Sequence, residues 1–296
     1  MLKPTEKVPT GSHAGEPGPG QAAVRLAWLG RQLLLVPEAV LLTALLCLHS
    51  VLGPSPLLAL LGLGLTLYFG ARMTLLSLGR RAVFEADYER AARLAHAAGL
   101  LYPASADVHA LMGTIHLARG AAGPAAAALA RAVALFPLQA DLHTALSAAL
   151  LEAGRPQEAQ AAARAALALA PRAAAAYLHL AGAEEQLGAP IAQVEANLRT
   201  GLTLPASPAD EAALRCALAA LLLGQGRSAE AQLALAGTDN LLAACPAAQR
   251  AGLHFYLGEL LRLGGDPEGA RDHFRASEAL DPHGRHAAAA WRAARS

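Results

Sequence analysis

Residues 106–139 read ADVHALMGTIHLARGAAGPAAAALARAVALFPLQ, and residues 140–173 read ADLHTALSAALLEAGRPQEAQAAARAALALAPRA. Laid over one another they agree at Asp107 and Asp141, His109 and His143, Gly120 and Gly154, and Pro137 and Pro171. Outward from this pair the interval persists. Pro103, Pro137, Pro171 and Pro205 fall 34 residues apart, as do Gly120, Gly154 and Gly188. A fixed period of this length marks stacked supersecondary units. Glycine suits the C-terminal turn of a helix, and proline cannot continue one. Each unit therefore reads as a helix, a Gly-centred turn, a second helix and a Pro-ended turn.

Composition agrees with an all-α fold. The chain of 296 residues is rich in Ala and Leu and only 4% aromatic, so it fills helices well and offers few of the side chains that favour sheets. The 24 basic and 23 acidic residues leave a net charge of +1, too little for a whole-molecule field that draws in nucleic acid. Cys47, Cys216 and Cys245 are odd in number and widely spaced, and they form neither a disulfide framework nor a metal signature.

The repeat resembles the tetratricopeptide (TPR) family, whose pattern sets a Leu-Gly pair, an Ala, an aromatic, a second Ala and a Pro at fixed positions. In 251–284 the matching residues are Leu257, Gly258, Ala270, Phe274 and Pro282, with Ser277 in place of the second Ala. In 106–139 they are Met112, Gly113, Ala125, Leu129, Ala132 and Pro137, and in 140–173 they are Leu146, Ser147, Ala159, Ala163, Ala166 and Pro171. The resemblance implies about six TPR-like repeats over 72–284, at 72–105, 106–139, 140–173, 174–208, 212–248 and 251–284. The pattern weakens near Ala212 and departs at Gly237, Thr238, Asp239 and Asn240. An Ala-rich helix over 285–296, bearing Arg285, Arg292 and Arg295, reads as the polar cap a solenoid requires.

In TPR proteins the first helices of successive repeats line a concave groove. By that resemblance the candidate partner groove here comprises Asp107, Thr114, Leu117, Asp141, Thr144, Leu151, Leu178, Glu185, Phe255, Glu259 and Arg262. The family's Lys/Asn clamp for a terminal carboxylate is absent, and what remains is small, apolar and mildly acidic. It suits an extended or helical protein segment bound through apolar contacts. His109, His143 and His254 share the fourth position of their repeats, where a large residue packs. His283 and His286 read as a surface pair, since no Cys or carboxylate completes a metal set around them. No phosphate-cradling loop, nucleophile elbow or zinc-protease pair occurs, so neither a catalytic nor a cofactor assignment is made.

Upstream of the repeats, residues 1–20 carry Pro4, Pro9, Pro17 and Pro19 without apolar periodicity and read as a disordered tail. Residues 21–71 read as a membrane hairpin with helices at about 33–52 and 57–71. Between Leu33 and Gly70 the ionisable side chains are Glu38 and His49, and a Gly53-Pro54-Ser55-Pro56 turn divides the run. Each stretch is short for a bilayer, so the hairpin spans with help from Arg72 snorkelling and local thinning or is re-entrant, and with no breaker after Ala71 its second helix is expected to run into the first repeat. Small residues at Ala39, Thr43 and Cys47, and at Gly62, Thr66 and Gly70, suggest that the two helices pack against each other.

Lys3, Lys7, Arg25 and Arg31 precede the hairpin, and Arg72, Arg80 and Arg81 follow it. The positive-inside rule then places both flanks, and the repeats, on the cytoplasmic face of a bacterial-type inner membrane. The expected function is a membrane-anchored scaffold that captures a protein segment. The alternative is an accessory subunit of a membrane enzyme or transporter complex, recognised through the hairpin.

Overall fold

The computed structural model describes residues 37–53 and 55–295. Among these residues it contains fifteen α-helices and no strand. The expected tail over 1–20, the stretch that follows it and the start of the first apolar helix lie outside the described residues. The helices are α1 (Pro37–Leu52), α2 (Pro56–Phe84), α3 (Tyr88–Leu101), α4 (Ala106–Ala118), α5 (Ala122–Leu135), α6 (Ala140–Glu152), α7 (Pro156–Leu169) and α8 (Ala174–Gln186). They continue as α9 (Ile191–Leu202), α10 (Pro208–Gly224), α11 (Ser228–Leu235), α12 (Thr238–Ala243), α13 (Ala247–Leu263), α14 (Pro267–Leu280) and α15 (Ala287–Ala293). The chain divides into two units, one ending at Leu67 and the other beginning at Tyr68.

In the first unit apolar side chains face outward. Leu46, Val51, Leu57, Leu60, Leu63 and Leu67 are each more than half exposed. By length and composition α2 is the one described helix able to cross a membrane, while Leu41–Val51 in α1 is apolar but shorter. The start of the first expected span lies outside the described residues, and the second expected span, 57–71, falls within α2. As the absence of a breaker after Ala71 leads one to expect, α2 continues for another thirteen residues to Phe84, into the first repeat. Among the described residues, a Cβ placed on Gly62 would meet nothing within 4 Å, so this position does not pack against α1.

The second unit is built from helix pairs. Leu76, Ala82 and Val83 of α2 are buried with Tyr88, Ala91, Ala95 and Ala98 of α3 and with Val108, Leu111 and Ile115 of α4. Arg72 is buried, with its guanidinium over the Tyr102 ring at 5.1 Å and the Phe69 ring at 6.0 Å. It is therefore committed to the first repeat and does not snorkel toward a membrane surface. Further along, Ala125, Leu129, Leu150 and Ala159 form the core of the middle repeats, and a larger cluster around Leu214, Leu218, Leu222 and Leu257 joins α10 to α13.

Two local devices repeat along the solenoid. At the end of each first helix a residue with positive φ reverses the chain, at Gly120 (φ 77°), Gly154 (68°), Gly188 (72°), Gly226 (73°) and Gly265 (87°). The following backbone N–H groups then bond back into the helix, as when Gly154 and Arg155 donate to the Leu151 and Leu150 carbonyls. In the first repeat Ala86 holds this position at φ 59°, and Ala86 and Asp87 donate to Val83 and Ala82 in the same way. At the other end of the unit, α3, α5, α7 and α14 stop two residues short of Pro103, Pro137, Pro171 and Pro282.

The fifth pair departs from this scheme. Its second helix is broken into α11 and α12 at Gly237 (φ 80°), and Arg215 of α10 donates to the Ala236 carbonyl at 2.7 Å. The final helix begins at Ala287, two residues later than the expected start at 285. Ala290 and Ala294 bury against Phe274 and Ala270, while Arg285 precedes the helix and turns back toward the early repeats.

Paired helices cross where one of them offers a small residue. A Cβ on Gly113 would fall 2.5 Å from Leu129 Cγ, and one on Gly258 would fall 2.7 Å from the Phe274 ring. We expect Gly258→Ala to destabilise the protein by about 1–3 kcal/mol through overpacking. Ala86→Gly, which relieves a left-handed alanine, is expected to stabilise it by up to about 1 kcal/mol. Thermal melting followed by circular dichroism checks both, and an unchanged melting temperature for Gly258→Ala contradicts the packing account.

Candidate functional site

The candidate groove residues sort into two kinds. Leu117 and Leu151 are half-buried against the middle core, Leu178 against the α10 cluster and Phe255 against Phe274 and α15, so each presents an edge rather than a free side chain. The polar candidates are engaged mainly with near neighbours. Asp107 pairs with Arg80 of α2 at 2.7 Å with both side chains about half exposed, and Arg262 donates to Glu259 at 2.6 Å. The Thr114 and Thr144 hydroxyls donate to the Ala110 and Ala140 carbonyls of their own helices. Asp141 and Glu185 are exposed, and Glu185 stands at the rim of a hollow of about 320 Å³ with Gly188, Ile191, Leu221 and Gln225.

A second set of residues was not legible in the sequence. Tyr88 on α3 donates its hydroxyl to the buried carboxylate of Asp281. Next in this cluster, the Arg285 N–H donates to the Ala118 carbonyl at 2.9 Å. Its guanidinium donates to Glu152 at 2.7 Å and to the Tyr256 hydroxyl at 3.4 Å. The His286 ring stacks on Phe255 with centroids 4.4 Å apart and meets Tyr256 edge-on. His286 is therefore part of a packed aromatic group and not half of a surface pair. Sequence separations of 133 and 193 residues put these contacts beyond any local pattern.

Electrostatics follow from burial. Burial raises the Asp281 carboxyl above its ordinary range and also raises the Tyr88 hydroxyl, which favours a neutral Tyr88 as the donor. Burial holds His179, His254 and His286 down to about 4. The Nδ1 atoms of His254 and His273 lie 2.9 Å apart, so one ring donates to the other and a charge on both is disfavoured. His143 and Tyr177, at the fourth position of their repeats, reach the carbonyls of Pro137 and Pro171. Glu184 is buried between helices and accepts from Asn197 at 2.7 Å. The buried Cys216 thiol is pushed up to about 12, far from a reactive thiolate. Among the described residues no group of three or more His, Cys, Asp or Glu is placed to hold a metal.

No family model matches the chain, and no curated protein matches it. Solved structures do. A tetratricopeptide repeat protein from Parabacteroides merdae superposes with a TM-score of 0.56 at 14% identity, over 76% of this chain and 83% of that one. The Cut9–Hcn1 hetero-tetramer of APC/C gives 0.56 at 16% identity, over 76% of this chain and 43% of that one. PilW, a type IV pilus biogenesis factor, gives 0.52 at 17% identity, over 74% and 98%. At these identities the likeness establishes the fold, an all-α helical-repeat solenoid like that of TPR proteins.

The lowered histidines carry a sign. Their ordinary value is 6.5 and their folded value about 4, so the unfolded chain takes up protons first as pH falls. Their contribution to stability is present above about 6.5 and is lost between about 6.5 and 4. We expect the melting temperature to drop across that window, and His254→Leu to shrink the drop. A drop of the same size in the variant shows that other groups cause it.

Proposed function

We propose that this chain is a membrane-anchored scaffold whose repeat solenoid captures a protein segment at the cytoplasmic face. The observation that carries the reading is α2. It is one helix of 29 residues whose first part exposes Leu57, Leu60, Leu63 and Leu67, and whose last part buries Leu76, Gly79, Ala82 and Val83 in the first repeat. Leaving a leucine in water costs on the order of 2 kcal/mol relative to burying it, so a row of such residues calls for a non-aqueous cover. From Pro56 to Ala71 the helix rises about 24 Å at 1.5 Å per residue, short of the roughly 30 Å of a bilayer core. Local thinning or a re-entrant path accommodates that length.

The partner surface on this reading comprises Asp107, Asp141 and Glu185 with the exposed edges of Leu117, Leu151, Leu178 and Phe255. Apolar edges set among carboxylates suit an extended or helical peptide segment. A membrane anchor raises the effective concentration of co-localised partners, so modest affinity suffices.

The uncovered stripe at Gly62 favours a second reading. Small residues let transmembrane helices approach closely, and a partner's helix on this face makes the chain an accessory subunit of a membrane complex. Replacing residues 33–71 with an unrelated anchor separates the two, because a scaffold keeps its partner and an accessory subunit loses it.

The anchor itself has a direct test. The full chain is expected to stay with membranes through an alkaline carbonate wash. A cytoplasm-dependent reporter fused after Ser296 is expected to be active, and one that works only outside the inner membrane inactive. Release by carbonate contradicts the anchor, and the reverse pair of reporter results places the repeats on the opposite face.

A further inference from the structure

The turn between α14 and α15 is bound by the first half of the solenoid as a ligand would be. Asp281 receives the Tyr88 hydroxyl of the first repeat. The backbone N–H of Arg285 satisfies the carbonyl of Ala118, the last residue of α4. That carbonyl belongs to the helix end, where no later turn of helix supplies a donor. The Arg285 guanidinium reaches Glu152, the last residue of α6, and lies beside Tyr256 of α13. Three successive repeats thus contribute one contact each to a single short turn, and the solenoid is closed on itself across its own repeats.

The turn is shaped for this contact. The carboxylate of Asp281 occupies the place where a Cβ on residue 284 would stand, so Gly284 is needed to bring Asp281 to Tyr88. Arg285 Cβ comes to 3.3 Å from the Cβ position of Gly120, so a side chain at that turn would press on it. On the other side the turn is backed by the His286 stack on Phe255.

We propose that the face formed by Tyr88, the Ala118 carbonyl, Glu152 and Tyr256 is a receptor for an arginine-bearing peptide turn, occupied in cis by Asp281–His286 and open to a partner's turn when that segment leaves. The proposal rests on the scaffold reading and adds the chemistry of the partner. A carboxylate meets the Tyr88 hydroxyl, and an arginine four residues later meets Glu152 and a free carbonyl. The charged contacts are partly exposed, and such pairs hold weakly. Tethering in cis supplies the effective concentration that keeps the turn seated, and a partner with the same chemistry competes by mass action.

The test uses the full chain in lipid nanodiscs with Cys47→Ala and spin labels at the exposed positions 157 and 283. A single short distance is expected for the parent. Arg285→Glu is expected to shift the distribution to longer distances, and adding Glu152→Arg to restore the short one, all at unchanged helicity by circular dichroism. Glu152→Gln, which removes the pair without setting like charges together, is expected to give a partial shift. A fluorescent peptide spanning residues 280–287 is then expected to bind the Arg285→Glu protein at least tenfold more tightly than the parent, and a peptide with glutamate in place of the arginine is expected to bind neither. A short distance that persists in Arg285→Glu, or no recovery in the charge-reversed pair, overturns the cis contact. Opening without peptide binding overturns the receptor and leaves the anchored scaffold standing, since that reading depends on α2 and not on this turn.

Discussion

Helices in this protein come together at a separation that only small side chains permit, and most of what is distinctive about the chain follows from that distance. Gly79, Gly113 and Gly258 each face a large residue across the crossing, Leu111, Leu129 and Phe274 respectively, with no room for a Cβ. Where the crossing residue is Ser147, it is fully buried and its hydroxyl donates to the Ala159 carbonyl at 2.8 Å, which meets the polar cost of the substitution. The alanines at 91, 125, 159 and 270 buried in the second helices belong to the same constraint. A core built mainly of alanine and leucine gains less from any one side chain than a core of large residues, so its stability is spread along many crossings.

Close crossing also constrains the turns, because a helix that packs tightly against the next must reverse within a few residues. A left-handed residue and two backbone hydrogen bonds accomplish this in every repeat, including the first, where an alanine bears the positive φ. Proline then limits the second helix. The fifth pair is the exception that shows the rule. Gly237 interrupts the second helix, and Arg215 takes over the freed Ala236 carbonyl. The solenoid continues past that break because α10 packs directly on α13 through Leu218 and Leu257.

The relation of fold to function runs through surfaces that the repeat cannot cover by itself. A solenoid buries each unit against its neighbours and leaves its two ends and its inner face to be satisfied by something else. At one end this chain places a helix that starts as an uncovered apolar segment. At the other it places a short helix that covers Phe274 and a turn that reaches back to α3, α4 and α6. The polar groups drawn together there, Tyr88, Asp281, Glu152 and Arg285, meet through the curvature of the stack, not through adjacency in the chain.

The division between what the sequence determined and what tertiary structure decided follows from range. The helix pairs, the glycine turns and the proline stops were legible because each depends on residues within one 34-residue unit, and backbone sterics make Gly and Pro readable wherever they recur. The candidate groove residues depend on more than one repeat. A residue such as Leu117 or Phe255 has one face toward its own repeat and one toward the next, and the angle between repeats decides how much of it remains free. The run of α2 past Arg72 was legible from the lack of a breaker, while the burial of Leu76 and Val83 against α3 and α4 was decided by tertiary packing. The closure through Asp281 and Arg285 lay beyond the sequence altogether. Small rotations between successive repeats add up over the whole stack, and only their sum determines which distant residues come within hydrogen-bonding distance.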